Sequence, residues 1–219
     1  MQSIRWQRAV YTALVLFSLW SIYLYIYDQP LLAWITREDS VSESISAICY
    51  LAAACIFFVE WIQGRFRNVF VLGYALLFLG VGGEEISWGQ RIIGIPTPEA
   101  LKELNVQKET NLHNIDGIHQ HVRLVGLLVV LTIAVLMPLT DRWIKSVREL
   151  CTRLKIPVVP LWTLPLTILA LLFMAIPRLF LDRPVFTLDE IGELYLSLVF
   201  FLFAIAVRKK GTEIGRPSS

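Results

Sequence analysis

The sequence predicts an all-α, polytopic membrane helix bundle with about six transmembrane helices. Hydrophobic residues make up 56% of the 219-residue chain, and the mean hydropathy is +0.61, well above the values of soluble globular domains. The apolar residues also fall into separate runs, each close to the roughly 20 residues that a helix needs to cross a hydrocarbon core. The three cysteines form no C-x-x-C pair, so neither a disulfide framework nor a redox motif is predicted.

Each of the apolar runs is predicted to be one transmembrane helix. The first run follows Arg5 and Arg8, but it is longer than the apolar region of a signal peptide and has no small-residue cleavage site after it. We therefore interpret it as a retained first helix. The six predicted helices comprise residues 9–27, 41–62, 69–88, 121–138, 161–180 and 189–207.

Charged residues divide unequally between the two ends of these helices. The end with both termini and the loops 63–68 and 139–160 holds 13 of the 20 basic residues, whereas the opposite end holds 14 of the 18 acids. Because basic residues beside transmembrane helices stay in the cytoplasm, both termini are predicted to be cytoplasmic and the protein to lie in the inner (cytoplasmic) membrane. Membrane lipids are the predicted partners of the basic face. That face lacks the interleaved aromatic residues of a nucleic-acid groove, so no nucleic-acid partner is predicted.

The loop 91–120 is the longest predicted connection, and loops of this length in compact proteins are usually functional. Thr97, Pro98 and Glu99 supply an N-cap, a proline at the first helical position and an acid in the first turn. They predict a short amphipathic helix on the outer membrane surface. Residues 1–210 are predicted to form a single membrane domain, followed by a flexible polar tail at residues 211–219.

Two adjacent carboxylates, Glu84 and Glu85, directly follow an apolar run in the motif GGEEISWGQR at residues 82–91. At 1.5 Å per residue they lie about 22–24 Å along the third helix, at or inside the hydrocarbon boundary. A charge at this depth is a functional-site hypothesis by default, and a structural salt bridge with Arg91 or Arg123 is the alternative. Glu85 points about 100° away from Glu84, so the pair is expected to make two different contacts, or the helix to unwind at the preceding glycines.

Polar stripes on the second and sixth helices end at the same membrane depth. The stripes comprise Asp39, Ser42, Glu43, Ser46 and Tyr50 on the second helix and Glu190, Glu193 and Ser197 on the sixth. With Glu84, Ser87, Trp88 and Arg91 on one face of the third helix, they are predicted to line one pocket at the outer leaflet. For Glu38, Asp39, Asp189 and Glu190 the alternative is a water-exposed helix start, where the helix dipole favours an acid.

All three histidines fall within nine residues, where the long loop meets the fourth helix. Imidazole is a common zinc ligand and a general base near neutral pH. His119 and His121 point about 200° apart on a helix, so both bind one metal only if the segment bends, which Gly117 permits. We interpret the cluster as a candidate site for a divalent metal such as zinc, and hydrogen bonding or metal-free acid–base chemistry are the alternatives. The candidate ligands are His113, Asp116, His119 and His121.

The motif E-E-I-S-W-G-Q-R at residues 84–91, together with N-V-Q-K-E-T-N-L-H-N at residues 105–114, resembles the signature of a family of uncharacterised bacterial multi-pass membrane proteins. The acids that open the second and sixth helices are similar too. The resemblance supplies no activity, and it implies only that the third helix and the long loop work together. The matching positions are Glu84, Glu85, Ser87, Gln90, Arg91, Asn105, Gln107, Glu109, Asn111, His113 and Asn114.

These residues lead to three hypotheses for the function. The first is a metal-dependent hydrolase or transferase that acts on a lipid or lipid-linked substrate, with histidines holding a metal-bound water and a carboxylate as general base. The second is a proton-coupled transporter, and the third is a non-catalytic subunit that docks a partner. Whether the protein forms homo-oligomers stays open. The candidate catalytic residues are Glu84, Glu85, Ser87, Arg91 and His113. The candidate substrate-binding residues are Glu43, Trp88, Gln90, Asn111, Arg123, Glu190 and Glu193.

Overall fold

The computed structural model describes residues 2–36, 41–64, 68–99, 102, 105, 115, 119–180 and 186–214. These residues form helices joined by turns and extended connections, with one isolated antiparallel bridge between Asn105 and Ile115. In chain order the helices are α1 (Gln2–Tyr27), α2 (Gln29–Thr36), α3 (Val41–Gln63), α4 (Val69–Glu85), α5 (Gln90–Ile93), α6 (His119–Val130), a π-helix (Leu131–Leu136), α7 (Met137–Trp143), α8 (Lys145–Leu154), α9 (Leu164–Phe180) and α10 (Phe186–Ile214). Short 3₁₀ turns lie at Ser87–Gly89 and Leu161–Thr163.

Four stretches of the described chain are long and apolar enough to cross a membrane, which suggests a multi-pass membrane protein. They are Gln7–Tyr27, Gln29–Gln63, Leu124–Trp143 and Leu188–Lys209. Two more apolar helices are shorter, namely α4 and the stretch Leu161–Ala175. The all-helical prediction is therefore confirmed for the described residues, and their helix lengths and hydropathy suggest a multi-pass membrane protein. The count of six spans and the cytoplasmic location of both termini stay predictions.

Two predicted helix ends are wrong, each for a local reason. The third predicted helix continues to residue 88, whereas α4 ends at Glu85 because the three residues after Ile86 adopt left-handed backbone angles. The fourth predicted helix ends at Pro138, whereas the helical path continues to Trp143. A π-helix precedes Pro138, and its wider turn, in which the N–H of Met137 bonds the carbonyl of Thr132, accommodates a residue without an N–H.

Two further predictions concern the outer loop and the C-terminal tail. The N–H of Lys102 donates to the Pro98 carbonyl at 3.0 Å, as expected where the predicted amphipathic helix begins. The rest of that predicted helix lies outside the described residues. At the other end of the chain, α10 continues to Ile214, so helix extends into the predicted tail.

The centre of the bundle is formed by α3, α4 and α10, and α9 packs against α10. Six buried aromatic side chains fill the space between the three central helices, with ring centroids of neighbouring pairs 5.0–6.3 Å apart. We call them the aromatic plug: Tyr50, Phe57, Tyr74, Phe78, Phe200 and Phe203. Their pairing order shows that α3 and α10 run parallel to each other, while α4 runs antiparallel to both.

The plug separates two ends of the central bundle. At the acidic end, α3 and α10 begin and α4 ends; at the basic end, α3 and α10 end and α4 begins. At the basic end, Nη1 of Arg208 donates to the side-chain oxygens of Glu60, at 2.7 Å, and Gln63, at 2.6 Å, which joins α10 to α3. Asn68 caps α4 by accepting from the N–H groups of its first turn, and its Nδ2 donates to the Lys155 carbonyl at 2.7 Å. Hydrogen bonds therefore tie the basic end together.

Candidate functional site

The α4 helix ends in a left-handed turn, which is formed by residues of the motif GGEEISWGQR. Ser87, Trp88 and Gly89 have φ values of 46°, 54° and 76°, and the N–H of Gly89 closes the turn on the Ile86 carbonyl at 2.8 Å. Glycine adopts these angles at no steric cost, but serine and tryptophan do not. Two consecutive non-glycine residues in this region hold local strain, which in proteins is concentrated at functional sites.

The turn folds Trp88 back over the end of α4. A Cβ atom added to Gly83 would lie 2.9 Å from the indole ring, so glycine is needed there for the ring to pack. The indole Nε1 donates to Oε1 of Glu84 at 2.6 Å. Because this bond fixes Glu84, the two adjacent carboxylates have different surroundings, as the 100° angle between them predicts.

A second glycine brings this end of α4 against α3. A Cβ atom on Gly82 would lie 3.0 Å from the Leu51 side chain and 3.1 Å from Cβ of Tyr50. Gly82 therefore permits a close approach of α4 to α3. The helix breaks after the acids, however, and not at the glycines.

The Glu85 carboxyl group lies within electrostatic range of four other carboxyl groups, which belong to α3, α4 and α10. We call this set the carboxylate cluster: Glu43, Glu84, Glu85, Glu190 and Glu193. All five side chains are partly buried, and the Tyr50 side chain lies within electrostatic range of Glu85 and Glu193. Members of the polar stripes predicted on the second and sixth helices, Glu43, Glu190 and Glu193, are thus within electrostatic range of Glu85. Asp39 of the second stripe lies outside the described residues, and the predicted face of Glu84, Ser87, Trp88 and Arg91 is interrupted because the helix ends at Glu85. The pocket itself stays a prediction.

Small hydroxyl side chains and one further acid are buried on the same faces. Ser42 and Ser46 of α3 and Ser197 of α10 are each almost completely buried. Asp189, in the first turn of α10, is also buried. The alternative of a water-exposed helix start is therefore wrong for Asp189.

The aromatic plug lies directly beneath the carboxylate cluster. Tyr50 is seven residues further along α3 than Glu43, which corresponds to about 10 Å at 1.5 Å per residue. Phe78 on α4 and Phe200 on α10 are each seven residues from Glu85 and Glu193. Since all three rings are buried and in mutual contact, the space below the cluster is filled by apolar side chains.

The outer loop is attached to the turn by a polar side chain. Nε2 of Gln90, in α5, donates to Oγ1 of Thr97, and Thr97 is buried. Asn105 and Ile115, which form the isolated bridge further along the loop, are also buried. Gln90 was a candidate for substrate binding, and this bond gives it a structural contact with the loop.

Most of the histidine cluster lies outside the described residues. This applies to His113, Asp116 and Asn111, and nothing is described of the side chains of His119, Arg91 and Arg123. His121 is exposed at the start of α6. Within the described part of the chain, no three His, Cys, Asp or Glu side chains are grouped so that they could hold a metal ion. The metal site stays a prediction.

Two features of the structure were missed from the sequence. The helix α8 lies in the predicted basic loop, although Val147, Leu150, Cys151 and Leu154 show the helical spacing of an apolar face. The left-handed turn at Ser87 and Trp88 has no comparable signal, because neither residue type favours positive φ.

The arrangement at the acidic end is suited to proton transfer and to binding a cationic group. Carboxyl groups accept and donate protons, and several of them together attract positive charge. No protein-family model, curated protein or solved structure matches this chain. The resemblance of the two loop motifs to a bacterial membrane protein family stays an expectation.

Proposed function

We propose that this multi-pass membrane protein acts on a lipid or lipid-linked substrate at its acidic end, with the carboxylate cluster as the acid–base centre. The observation that carries the proposal is the convergence of carboxylates from α3, α4 and α10 around Glu85. Titratable side chains grouped next to a membrane boundary are candidates for catalysis because their environment differs from water. A lipid headgroup is the substrate class that reaches this depth from within the membrane.

Within this proposal, Glu85 is the general base, because the other four carboxylates of the cluster all lie within its electrostatic range. Glu84 has a positioning role, since Trp88 holds it by a hydrogen bond. Arg91 and Arg123 would bind a phosphate or an oxyanion, and Ser87 lies in the strained turn beside the cluster. In the metal-dependent form of the proposal, His113, Asp116 and His119 would hold a divalent ion such as zinc, which supplies Lewis acidity.

Proton-coupled transport is the second candidate, because a group of carboxylates within a membrane bundle also serves proton-coupled carriers. The aromatic plug argues against it. A carrier needs a path from the cluster to the opposite side, and the rings of Tyr50, Phe78 and Phe200 fill the interior directly below the acids. An enzyme that works at one leaflet needs no such path.

The experiment is a lipid conversion assay on the purified protein, reconstituted in liposomes of total bacterial lipid extract and followed by lipid mass spectrometry. We expect wild type to change at least one lipid species and Glu85→Gln to abolish that change. The matched control is Glu99→Gln, which neutralises an exposed acid in the outer loop. No lipid conversion by wild type, combined with a proton flux that Glu85→Gln removes, would support transport instead.

A further inference from the structure

The helix α8 is fixed at a sharp bend immediately after the membrane-crossing stretch Leu124–Trp143. Ile144 has extended backbone angles, which end α7 and allow α8 to start in a new direction. Arg148 stabilises the bend, because its Nε donates to the Asp141 carbonyl at 2.8 Å and its Nη2 to the Arg142 carbonyl. These carbonyls belong to the last turn of α7, where a cation is favourable. The direction of α8 is therefore set by a specific contact.

The faces of α8 differ strongly in polarity. At 100° per residue, Val147, Leu150, Cys151 and Leu154 lie within a sector of about 100°, and the remaining residues of the helix are polar or charged. A helix with one apolar face and one basic face is typical of segments that lie in the plane of a membrane interface.

The protein covers only part of the apolar face. Cys151 is buried and Val147 is partly buried, so one edge of the face packs against the bundle. Leu150 and Leu154 are 44% and 42% exposed, and Trp143, which immediately precedes the bend, is 71% exposed. Leu124–Trp143 is long and apolar enough to cross a membrane, and these side chains follow directly at its end. In a membrane they would lie at the boundary of the hydrocarbon core. Tryptophan is enriched at this level in membrane proteins.

Basic side chains flank the exposed apolar residues. Arg142, Lys145, Arg153 and Lys155 are all exposed. Lys145 and Glu149 form a loose ion pair at 3.6 Å, and both side chains are mostly exposed, so the pair leaves Lys145 accessible to another anion. The surface thus combines apolar side chains at the membrane level with positive charge beside them.

We propose that residues 142–155 form a docking surface for anionic phospholipids at the basic end of the bundle. Trp143, Leu150 and Leu154 insert between the acyl chains, while Arg153 and Lys155 contact headgroup phosphates. Two observations select a lipid surface as the partner, namely the continuity of this segment with a membrane-crossing helix and the complementarity of its charge to anionic headgroups. This surface is separate from the carboxylate cluster and does not depend on the function proposed for it.

The first test measures lipid selectivity of the full-length protein. Native mass spectrometry counts the phosphatidylglycerol and phosphatidylcholine molecules retained after mild delipidation from mixed nanodiscs. We expect Arg153→Gln with Lys155→Gln to lower the ratio of bound phosphatidylglycerol to phosphatidylcholine by about tenfold. The matched control is Arg8→Gln with Lys209→Gln, which removes the same charge from exposed side chains elsewhere on the basic face and should lower the ratio by much less than tenfold. Equal losses in the two variants would overturn the proposal.

The second test measures the depth of the apolar face and does not depend on the charge variants. A spin label is attached at Leu150→Cys or at Thr152→Cys, on the opposite face, in a Cys55→Ala background in nanodiscs. Collisions with oxygen should exceed those with a water-soluble nickel complex at position 150, and the reverse should hold at position 152. Water access at both positions would overturn the proposal, and it would indicate that the face is open for a protein partner or a second copy of the chain.

Discussion

The charged side chains at the two ends of the central bundle have opposite kinds of neighbours. At the basic end, Arg208 donates to Glu60 and Gln63, so opposite charges join α10 to α3. At the acidic end, four other carboxyls lie within electrostatic range of the Glu85 carboxyl, and the adjoining turn holds two non-glycine residues in left-handed conformations. Like charges and backbone strain oppose folding, so they persist where the arrangement serves another purpose. We infer that the basic end serves stability and the acidic end serves function.

The sharpest test of this comparison exchanges one carboxylate for an amide at each end. Glu85→Gln keeps the shape of the side chain but removes its ability to take up and release a proton, so lipid conversion should fall by about 100-fold or more. The thermal stability should stay equal or rise, because a neutral amide replaces a carboxyl group that lies within electrostatic range of four others. Glu60→Gln should do the opposite, lowering stability while leaving lipid conversion near the wild-type rate. Turnover and thermal unfolding are measured on both variants in the same detergent.

Two outcomes would contradict the division between the ends. A large loss of stability in Glu85→Gln would show that the cluster holds the bundle together, through charged partners that the amide cannot replace. Equal turnover in Glu85→Gln and wild type would remove Glu85 from the chemistry. Glu60→Gln is measured in parallel as the comparison. If only Glu85→Gln changes a property, the change depends on the location of Glu85 and not on the loss of a carboxylate in general.

The next largest effect is expected where Trp88 packs on Gly83. An added Cβ would lie 2.9 Å from the indole ring, so Gly83→Ala must displace Trp88 and weaken its bond to Glu84. Overpacking of this kind costs typically about 1–3 kcal/mol. Gly80→Ala is the control, because no atom lies within 4 Å of its Cβ position. Thermal unfolding should separate the two variants, and identical curves would mean that the turn is free to move.

At the basic end, the ion pair between Arg208 and Glu60 should contribute a smaller amount. The Glu60 side chain is 13% exposed and that of Arg208 is 38% exposed, which places the pair between a surface and a buried salt bridge. We expect a coupling of about 1–2 kcal/mol. A double-mutant cycle of Glu60→Gln and Arg208→Gln measures it, and fully additive effects on the free energy of unfolding would show that the pair does not contribute.

The sequence was sufficient for the helical architecture and its long apolar helices, because apolar run length determines them. The period of 3.6 residues did not hold for the predicted face of Glu84, Ser87, Trp88 and Arg91, because the helix ends at Glu85. The sequence also predicted the different surroundings of Glu84 and Glu85. The turn after Glu85 was beyond prediction, since neither serine nor tryptophan favours positive φ, and the contacts of the Trp88 ring with Gly83 and Glu84 exist only once the turn has formed. The fourth predicted helix stops at Pro138, although a π-helix precedes this proline and the helical path continues beyond it.

The smallest effect is expected at Cys151, which is part of the packed basic end. Burial raises the pKa of the Cys151 thiol above its usual range, and the negative charge of Asp141 adds to this effect. Since the thiolate is the reactive form, Cys151 should react with iodoacetamide at pH 8 at least about tenfold more slowly than an exposed thiol introduced by Thr152→Cys on the polar face of α8. The reaction rate of Cys151 should keep rising at pH values where the rate of the exposed thiol has already reached its maximum. Equal rates at pH 8 would mean that α8 separates readily from the bundle, so the close packing of the basic end would not extend to this helix.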